Sequence, residues 1–156
     1  MNLNVQAEIK QNKPFESLEQ EVFLTLLWTA DRLQWHLSEA LKEHGLSPTQ
    51  YNALRILRGA GKQGLPCSEI ATRMITRDPD ITRLLDRMSK VGLAQRKRGS
   101  EDRRVVVAQI TSKGLEVLKK LDLVLPEFLH QLIGHMGTRN LKQLLELLEK
   151  MGHPEH

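Results

Sequence analysis

The chain contains a single cysteine, Cys67, among its 156 residues, and this excludes an intrachain disulfide. A lone thiol is typical of proteins kept in a reducing compartment, so we expect a cytoplasmic location. The first 14 residues are polar and lack the apolar core of a signal peptide. No apolar run approaches the ~18–20 residues needed to cross a bilayer, and we therefore expect no membrane association.

The motifs of common enzymatic chemistries are missing as well. The sequence has no nucleophile elbow, no phosphate-cradling glycine loop and no paired-carboxylate motif, so we expect a protein that is not an enzyme. His130 and His135 are five residues apart, a poor spacing for one metal ion, and the six histidines include no HxxxH pair on one helical face. We expect neither a metal nor another cofactor.

The chain has an excess of positive charge, and this excess is localised. The formal net charge is +4 and the isoelectric point is about 9.4. Between Pro66 and Arg104 there are ten Lys and Arg against six Asp and Glu, so the entire excess lies there. A charge that served only solubility would have no reason to concentrate in one stretch. A surface that binds a polyanion would.

A short helix is predicted inside this basic stretch. Asp78 is suited to cap it, and Pro79 would occupy the first helical position, where a missing N–H costs nothing. Gly92 would end the helix in the left-handed conformation. Four apolar residues at helical spacing predict a buried face: Ile81, Leu84, Leu85 and Met88.

A β-hairpin is predicted directly after this helix. Its strands would be Leu93–Lys97 and Arg104–Ile110, and the polar segment Arg98–Arg103 would form an exposed loop. A basic helix followed by a basic hairpin is the anatomy of a winged helix-turn-helix. There the helix enters a DNA major groove and the hairpin loop, called the wing, reaches the adjacent minor groove. A helix and hairpin that are merely solvated remain the alternative at this point.

Leu-rich helices flank the basic centre on both sides. Ser17 with Gln20 predicts the start of a helix of about 27 residues, which is long for a globular protein. Thr111 predicts the start of another long helix, interrupted by Pro126. The apolar faces of these helices exceed what the small centre can cover, so we expect a two-fold dimer. Its recognition helices would read half-sites about 34–36 Å apart.

These elements divide the chain into three parts. Residues 1–16 are expected to be a flexible amino terminus, and residues 17–46 with 111–152 a helical dimerisation region. Residues 47–110 are expected to be the winged helix-turn-helix lobe, whose first short helix would run from Cys67 to Met74 after a break at Gly64–Pro66.

With these residues in view, the chain resembles the MarR family of bacterial transcriptional regulators from about residue 18 to residue 150. The similarity is carried by residues 80–88, Lys90–Leu93 with Arg96, the wing signature Asp102–Arg104, and Ile110–Gly114. The resemblance implies a mainly α fold with a small β-hairpin wing. It also implies a homodimer that binds pseudo-palindromic operators in double-stranded DNA, acts as a repressor, and is released by a small ligand or by oxidation.

Contacts with DNA are assigned to two groups of residues. In the recognition helix these are Arg77, Asp80, Thr82, Arg83, Arg87 and Lys90. Thr82 and Arg83 lie early enough to reach base edges, where Arg can bind guanine O6 and N7 together. Asp80 could accept a hydrogen bond from cytosine N4, or it could stabilise the helix N-terminus through the dipole. The other cations are expected to meet phosphates.

In the wing the assigned residues are Arg96, Lys97, Arg98, Asp102, Arg103 and Arg104. Asp102 and Arg104 match the family's D-x-R pair, so the carboxylate would hold one guanidinium and shape the loop tip. Arg103 or Arg104 would then enter the minor groove. The first three residues would attract the DNA backbone.

A ligand site is predicted on the first long helix. Trp28, Arg32 and Trp35 follow i, i+4, i+7 spacing and share a face, with His36 beside them. Aromatic rings beside an Arg suit a small aromatic or anionic effector, such as an aromatic carboxylate or a urate-like purine. Ordinary dimer packing with Arg32 at the rim is the alternative.

Two other functions are alternatives to a ligand-responsive DNA-binding regulator. A thiol-based redox-sensing regulator would use Cys67, although a packing role suits that residue better. A helical protein-interaction module without DNA binding would explain the Leu-rich ends. It would not explain a charge excess confined to the helix-turn-helix and the wing.

Overall fold

The computed structural model describes residues 5–75, 80–99 and 104–152. The elements follow one another in the order α1 (Val5–Glu8), α2 (Leu18–Lys42), α3 (Pro48–Ala60), a 3₁₀ turn (Gly61–Gln63), β1 (Leu65–Pro66), α4 (Cys67–Arg73), α5 (Ile81–Lys90), β2 (Ala94–Arg98), β3 (Val106–Ile110), α6 (Ser112–Ile133), a second 3₁₀ turn (Gly134–Met136) and α7 (Gly137–Gly152). This confirms the expected mainly α fold with a small hairpin wing.

The sheet has three antiparallel strands in the order β1-β3-β2. The hairpin pairs Ala94 with Ile110 at its base and Arg98 with Val106 towards its tip. The strand β1 was not predicted, because a two-residue strand is too short to show alternation. Its pairing of Leu65 with Ala108 requires the backbone to pass close by at Gly64, where a Cβ atom would collide with the Ala108 carbonyl oxygen.

One hydrophobic core joins the helix-turn-helix, the sheet and α6. The four residues predicted to form the buried face of α5 are all buried. They pack with Leu54 and Leu57 of α3, Ile70 of α4 and Leu118 and Leu121 of α6. The recognition helix therefore has one face fixed by the core, and its opposite face is left to solvent.

Side-chain caps set the starts of the long helices. Ser47 and Gln50 form a reciprocal capping box at the start of α3, with bonds of 2.9 and 3.2 Å. Ser17 caps α2 as predicted, but the Gln20 side chain accepts from the Glu16 N–H at 2.7 Å and not from Ser17. A hydrogen bond from its own backbone N–H, and then one from Ser17, lowers the pKa of Glu19 in the first turn.

The amino-terminal segment contains a helical turn that sequence periodicity did not reveal. Residues Val5–Glu8 form α1, and Val5 is 7% exposed. Four residues are too few to display a helical period. The turn lies within the segment 1–16 for which the sequence predicts flexibility, and that flexibility stays a prediction.

The helix α6 continues through Pro126, although proline cannot donate to the preceding turn. One turn earlier, Asp122 binds Arg58 of α3 through two bonds, Nη1 to Oδ2 at 2.6 Å and Nη2 to Oδ1 at 3.2 Å. This bidentate pair joins the DNA-binding lobe to the helices beyond it. Across the described residues, we find no helix with the length and apolarity of a membrane span.

Candidate DNA-binding surface

The exposed face of α5 is the centre of the candidate site. Because its buried residues recur at helical spacing, the intervening side chains must face solvent. These exposed side chains are Thr82, Arg83, Asp86, Arg87 and Lys90. They form a mostly cationic surface on a helix of 10 residues, a size that fits a DNA major groove.

The recognition helix begins two residues later than the sequence predicts. Asp80, and not Asp78, is the N-cap, and its Oδ1 accepts from the Arg83 N–H at 3.1 Å. Its Oδ2 pairs with Arg83 Nε at 3.2 Å. Both carboxylate oxygens are thus engaged with the helix, which favours the capping alternative for Asp80. Its contact with DNA stays a prediction, while Arg77, Asp78 and Pro79 lie outside the described residues.

Arg96 is bound within the protein, and its expected contact with the DNA backbone stays a prediction. Its guanidinium contacts Asp86 Oδ1 at 3.0 Å and donates to the Thr82 carbonyl at 3.2 Å, both on α5. The side chain is 35% exposed, whereas that of Arg83 is 81% exposed. Arg96 therefore fixes the strand β2 against the recognition helix, and any phosphate would have to compete with Asp86 for it.

Asp86 is the functional residue that sequence reasoning missed. A carboxylate on a DNA-binding surface repels the phosphates of the DNA unless a cation of the protein pairs with it. That consideration could have indicated that Asp86 has a cationic partner within the protein. The identity of the partner depends on how β2 crosses α5, and this crossing is set by the fold and not by local spacing.

The wing places its cations on both faces of one strand. Side chains alternate along a strand, so Arg96 and Arg98 leave β2 on one face and Lys97 on the other. The Gly99 N–H donates to the Val105 carbonyl at 2.8 Å and extends the hairpin beyond the paired strands. Arg104 is exposed just before β3, the second strand of the hairpin. Asp102 and Arg103, predicted for the loop tip, lie outside the described residues.

The carboxyl end of the recognition helix is tied to the start of α6. Gly92 adopts φ +76° as predicted, and the Leu93 N–H returns to the Met88 carbonyl at 2.9 Å. The Thr111 hydroxyl donates to the Gly92 carbonyl at 2.6 Å. Lys113 Nζ donates to the Val91 carbonyl at 2.7 Å, a helix-terminal contact that the sequence did not reveal.

The four residues predicted for a ligand site separate into two contacts. Arg32 lies over the Trp28 ring, 4.7 Å from its centroid. Trp35 and His36 meet edge to face with centroids 4.9 Å apart. Trp35 and His36, without Trp28 or Arg32, line a groove of about 600 Å³ between α2 and α6, which we call the α2–α6 groove.

The α2–α6 groove is aromatic and acidic. Phe128 of α6 faces Trp35 and His36 across it, and Glu39 and Glu43 also line it. Glu39 lies 3.6 Å from Lys42, so its charge is partly balanced. A smaller cavity of about 220 Å³ is lined by Arg32, Trp35 and His36, three of the four predicted residues, and by Asp31, which contributes a negative charge.

The remaining candidate groups do not assemble into a chemical site in the described ranges. Cys67 is half-buried at the start of α4. No cluster of three His, Cys, Asp or Glu suited to a metal ion occurs in residues 5–75, 80–99 and 104–152.

A basic recognition helix held against a basic hairpin defines a winged helix-turn-helix DNA-binding protein. Residues 46–106 match the family model described as the MarR family. The chain is 30% identical over 116 residues to the uncharacterized regulator YkoM of Bacillus subtilis, covering 74% of each protein. The chain belongs to the MarR family of transcriptional regulators, which are not enzymes.

Two further comparisons extend the likeness beyond the DNA-binding lobe. A solved MarR transcription factor from Planctomyces limnophilus superposes with a TM-score of 0.66 at 39% identity. That match covers 87% of this chain and 98% of the other. The transcriptional repressor MprA of Escherichia coli K12 is 28% identical over 134 residues, which is 85% of this chain and 76% of MprA.

Proposed function

We propose that this protein is a homodimeric repressor that binds a pseudo-palindromic operator in double-stranded DNA and is released by a small aromatic effector. The proposal of DNA binding rests on one observation: α5 and the wing are fixed to each other. One face of α5 is buried in the core, and Arg96 holds β2 against Asp86. The opposite face and the wing are thereby presented to DNA as one preorganised surface.

Arg83 is the residue best placed to read a base. It lies in the first turn of α5 and its side chain is highly exposed. Asp80 engages Nε of the guanidinium, which leaves the two terminal nitrogens to bind O6 and N7 of one guanine. Arg87, Lys90 and Arg98 lie farther along the basic surface and suit phosphate contacts that position the protein.

The proposed dimer rests on apolar surface that the single chain leaves uncovered. Leu18 and Phe23 of α2, Leu123 of α6 and Leu145 and Leu147 of α7 are each more than half exposed. An apolar groove of about 680 Å³ also opens between α2 and α7. Surfaces of this kind mark protein interfaces, and a second copy related by two-fold symmetry would cover identical faces together.

The α2–α6 groove is the proposed effector site. Trp35, His36 and Phe128 offer ring faces and edges to an aromatic ligand. Because Glu39 and Glu43 lie in the same groove, a cationic or neutral aromatic compound is favoured there over an anionic one. The sequence predicts a small aromatic or anionic effector. The groove favours the aromatic class without a negative charge, because Arg32, the cation expected to hold an anion, lies against Trp28 outside the groove.

Repression is supported by MprA, which is named a repressor. A protein that binds DNA would also act in the cytoplasm, in line with the single thiol. The sign of regulation would be tested by transcription from the promoter beside the protein's own gene. Loss of the protein would raise that transcription, and a fall would contradict repression.

The DNA-binding proposal is tested through its salt dependence. We expect wild-type protein to bind the DNA flanking its own gene with an affinity that falls steeply as salt rises, because phosphate contacts release counterions. Replacing Arg103 and Arg104 together by Ala would weaken binding and flatten the slope of log affinity against log salt. Fluorescence anisotropy measures both quantities.

A matched variant controls for net charge. Lys119→Ala with Lys120→Ala removes the same charge from the exposed surface of α6, away from the wing, and the slope would stay at the wild-type value. An unchanged slope in the Arg103, Arg104 variant would refute the assignment of the wing. No salt-dependent binding at all would instead favour a protein-interaction module.

A further inference from the structure

A separate cavity lies at the base of the wing. It has a volume of about 370 Å³ and lies between the sheet, the end of α3 and the start of α6. We call it the wing-base pocket. The residues that carry the argument are Arg58, Lys62, Gln95, Lys97, Ile110 and Leu115.

The wing-base pocket lies on the face of β2 turned away from the recognition helix. Arg96 leaves β2 towards α5, where it binds Asp86. Gln95 and Lys97 are its neighbours in the strand and therefore leave on the opposite face. Lys97, which the sequence assigns to DNA, thus faces a cavity together with Lys62, a residue to which the sequence gave no role.

The charge lining this pocket is positive. Lys62 and Lys97 are both exposed, and among the residues that the structure describes no carboxylate lines the cavity. Arg58 also lines it, but the carboxylate of Asp122 holds its guanidinium through two bonds. The unbalanced charge is therefore that of the two lysines, which bind an anionic group as point charges.

The polar groups around the lysines are held in place. The Gln109 side chain donates to the Lys62 carbonyl and fixes the backbone from which that lysine extends. Gln95 Nε2 lies 3.5 Å from Gln109 Oε1 on the neighbouring strand, at the limit of a hydrogen bond. Ile110 and Leu115 supply an apolar wall beside these polar groups, and Leu115 is 43% exposed.

We propose that the wing-base pocket binds a small organic anion, with its carboxylate between Lys62 and Lys97 and its apolar part against Ile110 and Leu115. This site is separate from the acidic α2–α6 groove and selects ligands of the opposite charge. Because its walls belong to β2, β3, α3 and α6, an occupant contacts the wing and the helix that carries Asp122 at the same time.

Titration with benzoate tests the proposal, with benzamide as an uncharged analogue of the same shape and inorganic phosphate as an anion without an apolar part. The side-chain amide signals of Gln95 and Gln109 are followed by NMR. We expect benzoate to shift both signals in a saturable way, and benzamide and phosphate to shift them only weakly. Equal binding of benzamide, or of phosphate, would overturn the proposed ligand class.

Two charge-matched variants locate the site. Lys62→Gln with Lys97→Gln should weaken benzoate binding about tenfold or more, because a charged hydrogen-bond partner is lost on each side. Lys119→Gln with Lys120→Gln should leave it unchanged. Equal affinity in the two variants would overturn the site.

A contact between Lys62 and the DNA backbone is the competing explanation for its charge. The slope of log affinity for DNA against log salt distinguishes a Lys62 that binds an organic anion from a Lys62 that contacts a DNA phosphate. Without benzoate, Lys62→Gln should keep the wild-type slope, whereas loss of a phosphate contact would reduce it by about one. A reduced slope would overturn the proposal. The Lys62→Gln variant keeps Arg103 and Arg104, so this test does not depend on the assignment of the wing.

Discussion

Arg96 is a cation of the candidate DNA-binding surface that is already bound within the protein. Its guanidinium is bound by the Asp86 carboxylate and the Thr82 carbonyl, so its charge is balanced before DNA arrives. Arg83 is held only through Nε and remains highly exposed. These two arginines thus have different surroundings within one surface, and their substitution should give different salt profiles.

We expect Arg96→Gln to weaken DNA binding while the slope of log affinity against log salt stays at the wild-type value. The wing loses its attachment to α5, but no phosphate contact is removed. Because the pair is partly exposed, the free energy of unfolding should fall by less than about 1 kcal/mol. Anisotropy titrations at several salt concentrations and urea denaturation measure the two effects.

Arg87→Gln is the matched control for this substitution. It removes the same charge from the exposed face of α5, and its slope should fall by about one as a phosphate contact is lost. Asp86→Asn breaks the same pair from the other side, so its loss of unfolding free energy should match that of Arg96→Gln, and the double variant should be no less stable than either single one. A lower slope in Arg96→Gln would show that its guanidinium does reach the backbone.

At the scale of elements, periodicity predicted the buried face of α5 and both hairpin strands, because these depend on local spacing. The start of α5 was misplaced because the sequence Asp78-Pro79-Asp80 offers two residues able to cap a helix. The strand β1 and the pairing of Arg96 with Asp86 were missed because both depend on contacts between distant parts of the chain. Such contacts leave no periodic signal.

Gly114 joins α6 to the end of the recognition helix and should not tolerate a side chain. A methyl group there would collide with the Leu93 carbonyl oxygen and with side-chain atoms of Ile110 and Leu54. We expect Gly114→Ala to lower the free energy of unfolding by about 1–3 kcal/mol, the usual cost of overpacking. Urea denaturation monitored by circular dichroism measures this value.

Gly59 provides the opposite case within the same fold. It lies in α3, and a Cβ atom there would meet nothing within 4 Å. Gly59→Ala should raise the free energy of unfolding by about 0.4–1 kcal/mol, because alanine favours the helix. If Gly114→Ala left the free energy of unfolding unchanged or raised it, the packing described around Gly114 would be incorrect.

At the scale of the whole molecule, the proposed dimer would cover the exposed apolar residues of α2, α6 and α7. We expect the wild-type protein to sediment at twice the chain mass of 17.9 kDa. Leu147 is 61% exposed on α7. Leu147→Glu would place a charge in the proposed interface, shift sedimentation towards the monomer, and reduce affinity for a full operator more than for a half-site.

Lys142→Glu introduces the same side chain at a polar, exposed position of α7 and should leave the dimer intact. Analytical ultracentrifugation distinguishes the two variants. A wild-type protein that sediments at 17.9 kDa at all concentrations would exclude the dimer.

The proposed effector site, the α2–α6 groove, lies between two helices that also belong to the proposed dimer interface. We expect the aromatic cation benzamidine to quench tryptophan fluorescence more strongly than salicylate or urate, and to weaken DNA binding. Trp35→Phe should abolish most of this quenching, whereas Trp28→Phe should retain it, since Trp28 does not line the groove. Stronger quenching by salicylate or urate would reverse the charge preference, and no response to any compound would exclude the site.

The short strand β1 has a consequence for the behaviour of the protein at high concentration. A sheet with free edges can add strands from other molecules and grow into aggregates. One edge of this sheet carries Pro66, which has no N–H to donate. The other edge carries Lys97 and Arg98 beside the paired Arg96, and these two cations repel the same strand of a second copy. The sheet therefore resists polymerisation from either side.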